Sequence, residues 1–422
     1  MKIKIHHIDK IEGHMGFEAS LYKGNVKEAF VDILEGARLI EGMLRGRPYA
    51  DIPIISSRVC GVCPVVHNLS AIKALENALG VKVDNTVVLF RKLLMLGEMI
   101  QSHVVHVVLL SGPDFLGETN DIKLIKKYPK ESELAFKVRD FSVKIMEAVG
   151  GRAIHPITTE VGGFKILPTK YQIEEILHDC DDILEASLGI FKFLASKIKL
   201  PELKVEVRPV SNSTKDEYCY YGDDRKIISG QGLNTGLEKF YSSIEELQKP
   251  KSVVKQTELY NRHYLVGALA RMLNQNQLLN KEAKKIFKKL PQDKLKTNPF
   301  YNLLAQWVET IHFIEEVKKI SEKLLSLNIP RESRQKIELR EGEGVGSVEA
   351  PRGTLIHYYK VDKDGRIIDS NTITPTAQFL NDLEHSLRAY LPQIKDLPEE
   401  ERALKIKSLV RAYDPCISCA TH

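Results

Sequence analysis

The chain has 422 residues, 43% of them hydrophobic, and 61 Lys+Arg stand against 56 Asp+Glu for a net charge of +5. Ordinary apolar content with so small a charge excess excludes a disordered chain, and basic residues interleaved with acidic ones argue against a nucleic-acid partner. The opening MKIKIHHIDK lacks a secretory-signal pattern, and the most apolar stretch, residues 87–110, carries Arg91, Lys92, Glu98, His103 and His106, so no direct membrane insertion is expected.

In chain order, residues 1–34 read as strands broken by the turn-like Ile11-Glu12-Gly13 and by Lys23-Gly24. A helix is predicted over 36–46. A second starts at Cys63-Pro64 and stops at Gly80, with proline at a first-turn position and glycine as terminator. Residues 85–111 form one long, mostly apolar helix buried on several sides. Helical periodicity returns at 131–150, 170–198, 234–247, 260–279 and 298–327, and 202–210 alternates like a strand. The Lys-rich 281–298 reads as a solvated face or loop. Residues 353–369 form a hairpin turning at Lys363-Asp364-Gly365, and helices follow at 376–392 and 398–412. The fold class is α+β: mostly long helices packed as a central bundle, with small peripheral sheets and hairpins. Length alone allows two or three domains. The chemistry below needs both chain ends together, so one intertwined unit over 1–422 is expected.

Four of the six cysteines form two C-x-x-C pairs, Cys60/Cys63 and Cys416/Cys419, while Cys180 and Cys219 stand alone. That is no disulfide framework for a chain of this size. Two pairs can supply four thiolates to one soft or borderline metal. A structural zinc site and unrelated redox thiols both fit the spacing. Against zinc, such sites close short loops, whereas here the pairs lie at opposite ends, each followed by a histidine, His67 and His422. Cys63 also precedes a helix start, where the backbone N–H groups favour thiolate. His103, His106, Cys180 and Cys219 read as ordinary core side chains.

Residues 58–67 (Arg-Val-Cys-Gly-Val-Cys-Pro-Val-Val-His) and 414–422 (Asp-Pro-Cys-Ile-Ser-Cys-Ala-Thr-His) resemble the two cysteine motifs of nickel–iron hydrogenase large subunits. Lys10-Ile11-Glu12-Gly13-His14 is similar to the family's R-I-E-G-H, with lysine for arginine. Glu349-Ala350-Pro351-Arg352-Gly353 and Thr374-Pro375-Thr376 match two further motifs, and 151–156 and Gly162-Gly163 also read like the family. The resemblance runs from residue 10 to 422 and implies that family's fold.

The resemblance implies a Ni–Fe(CN)2(CO) centre. Cys60 and Cys416 would be terminal nickel ligands, and Cys63 and Cys419 would bridge to iron. Hydrogen would split heterolytically, its proton taken by Cys416 or by the side chain of Arg352. Arg352 would face the open side of the metals as a fixed, directed cation, paired with Asp114 and Asp414. Glu12 matches the proton-relay glutamate, a task that suits a buried carboxyl group. His67 would orient a bridging thiolate, and Thr376 with the Pro351-Arg352 backbone would hold the cyanides. Glu41, the Thr372 carbonyl and His422 would bind Mg2+ or Fe2+. The chain stops at the histidine after which a maturation protease cuts in this family, so it reads as the mature form.

Four cysteines spent on one centre leave too few for electron-transfer clusters. The implied partners are an iron–sulfur small subunit, flavin- and NAD(P)-binding diaphorase subunits, and ferredoxin-like subunits. The wording of 349–359 and 374–378 resembles the cytoplasmic, bidirectional, NAD(P)-linked and sulfhydrogenase branch. Deazaflavin-reducing and heterodisulfide-reductase-linked hydrogenases are the alternatives within the family. A zinc-stabilised scaffold is the alternative outside it.

Overall fold

The computed structural model describes residues 1–118, 120–222, 226–230, 232–249, 252–330 and 333–422. Strands β1 (Lys2–Ile5), β2 (Met15–Tyr22) and β3 (Asn25–Ile33) form an antiparallel sheet at the N-terminus. Helix α1 (Pro64–Leu79) begins with Pro64 in its first turn, where a missing N–H costs nothing, and ends on Gly80 at φ 67°. Asp84 accepts from Val87 N and so starts α2 (Asn85–Val104). The same rod continues as a π-helix over Val105–Ser111 rather than as the uniform helix predicted. A Cβ on the following Gly112 would sit 2.4 Å from the Val107 carbonyl oxygen, so only glycine permits that winding.

Helices α3 (Pro129–Gly150), α4 (Lys170–Lys197) and α5 (Asn302–Leu325) pack with α2 into a four-membered ring, α2 on α3, α3 on α4, α4 on α5 and α5 on α2. A Thr169/Gln172 capping box starts α4. The run Asn85–Phe115 is long and apolar enough to cross a membrane, but most of it is buried within this bundle.

Beside the bundle lies the antiparallel sheet β4 (Gly342–Ala350), β5 (Gly353–Val361) and β6 (Ile367–Ile373). Strand β4 escaped the sequence reading, and it is the strand on which α1 rests. Gly342, Gly344 and Gly346 alternate onto one face, and a Cβ on any of them would lie 2.2–2.6 Å from backbone atoms of Ser70, Ala74 or Ala78. Those three residues form the small-residue stripe of α1 at i, i+4 and i+8, so helix and strand backbones nearly touch. Helix α6 (Pro375–Ile394) packs on β3, and α7 (Glu399–Ala412) packs on α6.

Several boundaries differ from the sequence expectations. The helix predicted over 36–46 is only Ile40–Leu44, because Leu39 and Gly46 both sit at positive φ. The helix predicted over 234–247 covers only Leu237–Ser243. There Ser242 and Ser243 turn their hydroxyls back to the Lys239 carbonyl, and Ile244–Gln248 pairs instead with Lys255–Leu259. Over 260–279 the helix is Ala268–Gln275, entered through Gly267 at φ 114°. The predicted strand 202–210 is irregular, and pairing begins at Val210–Ser213. The Lys-rich stretch folds as Lys281–Phe287 and Gln292–Leu295, with Ala283, Ile286, Phe287 and Leu295 buried beneath a lysine-bearing solvated face.

Candidate metal centre

The two ends of the chain meet through a parallel bridge between Glu12 and Cys416, in which Ile417 N donates to the Glu12 carbonyl at 2.9 Å. This brings the cysteine pairs together. The Sγ atoms of Cys60 and Cys416 lie 3.5 Å apart, those of Cys63 and Cys419 3.2 Å, and those of Cys416 and Cys419 2.8 Å. All four are buried, and their ligand atoms lie within 4.8 Å of one another. Cys63 occupies the N-cap position of α1, while Cys416 precedes and Cys419 lies within a single helical turn, Ile417–Ala420.

Four thiols this close cannot all ionise without a cation between them. Contact with Cys416 and the other thiols, with Arg352 nearby, draws Cys60 well below the usual thiol range. Burial pushes Cys416 well up and Cys419 to about 11. A metal of charge 2+ or more removes that conflict by converting the whole set to thiolates, so the donor set fits a thiolate-rich metal centre.

Arg352 sits at the tip of the two-residue hairpin Pro351-Arg352, closed by the Ala350–Gly353 pair of β4 and β5. Its Nε donates to the Asp414 carbonyl at 2.8 Å and its Nη2 to Asp414 Oδ1 at 2.9 Å. Its Nη1 is buried without a protein partner, a donor awaiting an acceptor. Asp414 holds φ at 54° directly before Pro415, a conformation uncommon for a non-glycine residue. Gln306 Nε2 also donates to Asp414 Oδ2 at 3.3 Å. Asp414 therefore pairs with Arg352 and Asp114 does not. Asp114 gives both oxygens to Arg411 at 2.6 Å, and Arg411 also holds Asp9. Asp114 lies in the turn that closes the π-helix, so it faces α7 and not the hairpin tip.

A small pocket, with room for little more than one water-sized molecule, adjoins the sulfurs, lined by Val66, His67, Pro351, Arg352, Leu355 and Thr376 among others. Apolar walls with one guanidinium and one hydroxyl suit small ligands that accept hydrogen bonds at one end. Thr376 stands in the first turn of α6, where its Oγ1 accepts from Cys416 N at 3.0 Å.

Glu12 is half-buried and reaches Cys416 from the outside. The Cys416 thiol donates to Glu12 Oε2 at 3.1 Å, Ser418 N donates to the same oxygen at 3.0 Å, and the Ser418 hydroxyl meets Oε1. His67 Nε2 lies 3.5 Å from Cys419 Sγ. The third predicted group also converges. His422 Nε2 is 2.8 Å from the Thr372 carbonyl and 3.6 Å from Glu41 Oε1, which accepts from Thr372 N at 2.7 Å. Burial pushes the Glu41 carboxyl up, but His422 and the Thr372 N–H outweigh it and hold Glu41 below its ordinary value.

The sequence reading missed several supporting residues. Arg38 Nη2 donates to the carbonyls of Val59 and Ser418, stapling one cysteine limb to the other. Glu98 on α2 accepts from Val65 N at 2.7 Å and Val66 N at 3.0 Å, capping α1 from outside, and burial raises its carboxyl to about 8. Arg271, fully buried, chelates Glu309 and donates to Glu349 and to the carbonyls of Ala350 and Pro351, so it holds the Arg352 hairpin from behind. A charge on an otherwise apolar helix was the available signal for Glu98. His103 and His106 are core residues as expected, bound to Glu309 and to Gln306 with the Arg411 carbonyl.

Comparison with known proteins agrees with this architecture. The family model for nickel-dependent hydrogenases matches residues 38–145 and 201–422. Sulfhydrogenase 1 subunit alpha of Pyrococcus furiosus is 33% identical over 428 residues, covering 100% of this chain and 98% of its own. Sulfhydrogenase 2 subunit alpha of the same organism is 34% identical, covering 100% and 99%. The structure of an NAD+-reducing [NiFe]-hydrogenase in the H2-reduced state superposes with a TM-score of 0.89 at 26% identity, over 100% of this chain and 99% of that one. A [NiFeSe]-hydrogenase of Dm. baculatum shares the fold at a TM-score of 0.79 and 23% identity. Sulfur geometry alone would also suit zinc; four buried cysteines in this fold, with relatives of this kind along the whole length, decide for nickel and iron. The chain belongs to the nickel-dependent hydrogenases and is the large, catalytic subunit of a nickel–iron enzyme acting on H2.

Proposed function

We propose that Cys416 and Glu12 carry the proton step of this hydrogenase, and that its electrons are exchanged with NAD(P) through partner subunits. The observation that carries the first half is the contact of Glu12 Oε2 with Cys416 Sγ at 3.1 Å, which joins the sulfur cluster to a half-buried carboxyl group. A nickel–iron centre held by Cys60, Cys63, Cys416 and Cys419 supplies the redox chemistry that divides H2 into two electrons and two protons. In this reading Cys63 and Cys419 would each hold both metals. The thiolate of Cys416 takes a proton and hands it to Glu12, whose second oxygen already rests on Ser418.

Arg352 fixes a positive charge beside the reacting position, and its unpartnered Nη1 offers a donor into the cavity. Thr376 and the Pro351-Arg352 backbone would hold the cyanide ligands. Glu41, the Thr372 carbonyl and His422 hold Mg2+ or Fe2+, a reading supported by their convergence on oxygen-rich ground.

The relatives named alpha subunits point to a multisubunit enzyme, and the structural relative that reduces NAD+ supports the nicotinamide acceptor. An iron–sulfur small subunit, a flavin-bearing diaphorase and a ferredoxin-like subunit complete the electron path. A cytoplasmic setting suits the six free thiols.

Three measurements test this reading. Infrared spectra of the purified complex should show one CO and two CN− bands, and reduction of NAD+ and NADP+ under H2 identifies the acceptor. Glu12→Gln should slow H/D exchange by at least about 100-fold with those bands unchanged. Exchange at the wild-type rate would remove Glu12 from the path.

A further inference from the structure

Behind His67 runs a line of polar side chains that the proton step leaves unused. His67 Nδ1 lies 3.1 Å from His357 Nε2, His357 Nδ1 lies 2.7 Å from Tyr359 Oη, and Tyr359 Oη lies 3.0 Å from Ser56 Oγ. None of the four residues is more than 1% exposed. His357 and Tyr359 are i and i+2 on β5, so they share the face that packs on α1, where His67 sits. Ser56 comes from the short helix Ile52–Ser57.

Hydrogen-bonding capacity fixes the direction of this line. A cysteine sulfur bound to metal carries no proton and can only accept, so His67 must donate from Nε2. Both rings are buried and neither hydrogen-bonds a carboxylate, an environment that suits the neutral form of each. A neutral His67 that donates from Nε2 accepts at Nδ1, and only the Nε2–H of His357 can supply that bond. His357 then accepts at Nδ1 from the Tyr359 hydroxyl, whose oxygen accepts from Ser56. Every donor points toward Cys419.

We propose that His357, Tyr359 and Ser56 are positioning residues that lock His67 in the tautomer donating to Cys419. A free neutral imidazole has two tautomers, and the wrong one would aim a lone pair at the thiolate. The line removes that choice and keeps a permanent hydrogen bond on one bridging sulfur. A hydrogen-bonded thiolate gives less electron density to its metals, so the line tunes the centre without touching it.

This inference rests on the nickel–iron reading of the four cysteines, and one experiment separates the two. Infrared spectra are recorded on the matured complex carrying wild-type, Tyr359→Phe, Ser56→Ala or Tyr358→Phe large subunit, with nickel content measured in each. Loss of the hydrogen bond should raise back-donation, so the CO band of Tyr359→Phe should move to lower wavenumber. Ser56→Ala should move it the same way by less. Tyr358→Phe removes a hydroxyl that bonds Glu343 outside the line, and its bands should match wild type. Unshifted bands in nickel-replete Tyr359→Phe would overturn the proposal. Should that variant fail to mature, an unshifted Ser56→Ala overturns it instead. Absence of CO and CN− bands in the wild type would sink the metal-centre reading itself.

Discussion

The two cysteine limbs reach the same point by opposite means. Cys60 and Cys63 stand at the head of a sixteen-residue helix whose backbone lies against the glycines of β4. Cys416 and Cys419 stand on one helical turn within the last nine residues of the sequence and are held by side chains from elsewhere: Glu12, Arg38 and Thr376. The first limb is part of the core, and its geometry is settled by folding. The second also packs Ile417 and Ala420 into that core, but its short turn owes its placement to polar contacts from distant residues, each of modest net strength. Damage to the first should therefore cost the fold, and damage to the second should cost the metal while sparing the fold.

The largest effect expected on this contrast comes from Gly346→Val. A Cβ there would lie 2.3 Å from Ala74 N and 2.6 Å from the Ser70 carbonyl oxygen, with no flexible side chain to yield. The loss should be about 3 kcal/mol or more, seen as a lowered thermal midpoint of the metal-free chain together with lost nickel. An unchanged midpoint would mean that α1 does not rest on β4 as described.

The next effect is a pH dependence on the same limb. Burial raises the Glu98 carboxyl to about 8 against an ordinary value of 4.5. The folded chain then binds more protons than the unfolded one between those values. Stability from this group is complete below about pH 4.5 and is lost as pH rises through 8, at up to about 1.4 kcal/mol per unit. Denaturant unfolding of the metal-free chain should show Glu98→Gln with a flatter profile than wild type over this window. Parallel profiles would show that Glu98 is ionised in the fold.

The smallest effect on the fold, and the one that completes the contrast, is Arg38→Ala. It removes a charged donor shared by Val59 and Ser418, an effect on the order of 1–3 kcal/mol confined to the docked limb. Nickel content should fall and amide exchange near Cys419 should quicken, with the global midpoint little moved. Equal loss of midpoint and nickel would place both limbs in one cooperative unit.

The same contrast explains what was legible in the sequence. The first limb announces itself locally: Cys63-Pro64 at a helix start and Gly80 at its stop are short-range signals, and the structure places α1 within a residue of the expected span. The reading of the long helices succeeded for the same reason. Strand β4 was missed because GEGVG has little strand propensity of its own; its glycines serve a close approach to α1, which no local pattern announces. Arg38 and Glu98 were missed because their partners are backbone groups brought near only by tertiary packing. Asp114 was paired with the wrong arginine because the π-winding before it turns the chain toward Arg411.

The bridge between Glu12 and Cys416 has a further consequence for synthesis. At about 5–20 residues per second, roughly 20–70 seconds separate the emergence of Cys60 from that of Cys416, its partner 356 positions away. During that interval a nascent chain presents half a ligand set and no proton acceptor poised on it. Metal offered too early meets two thiols instead of four. The site is thus closed only in chains that have been read through to Cys419.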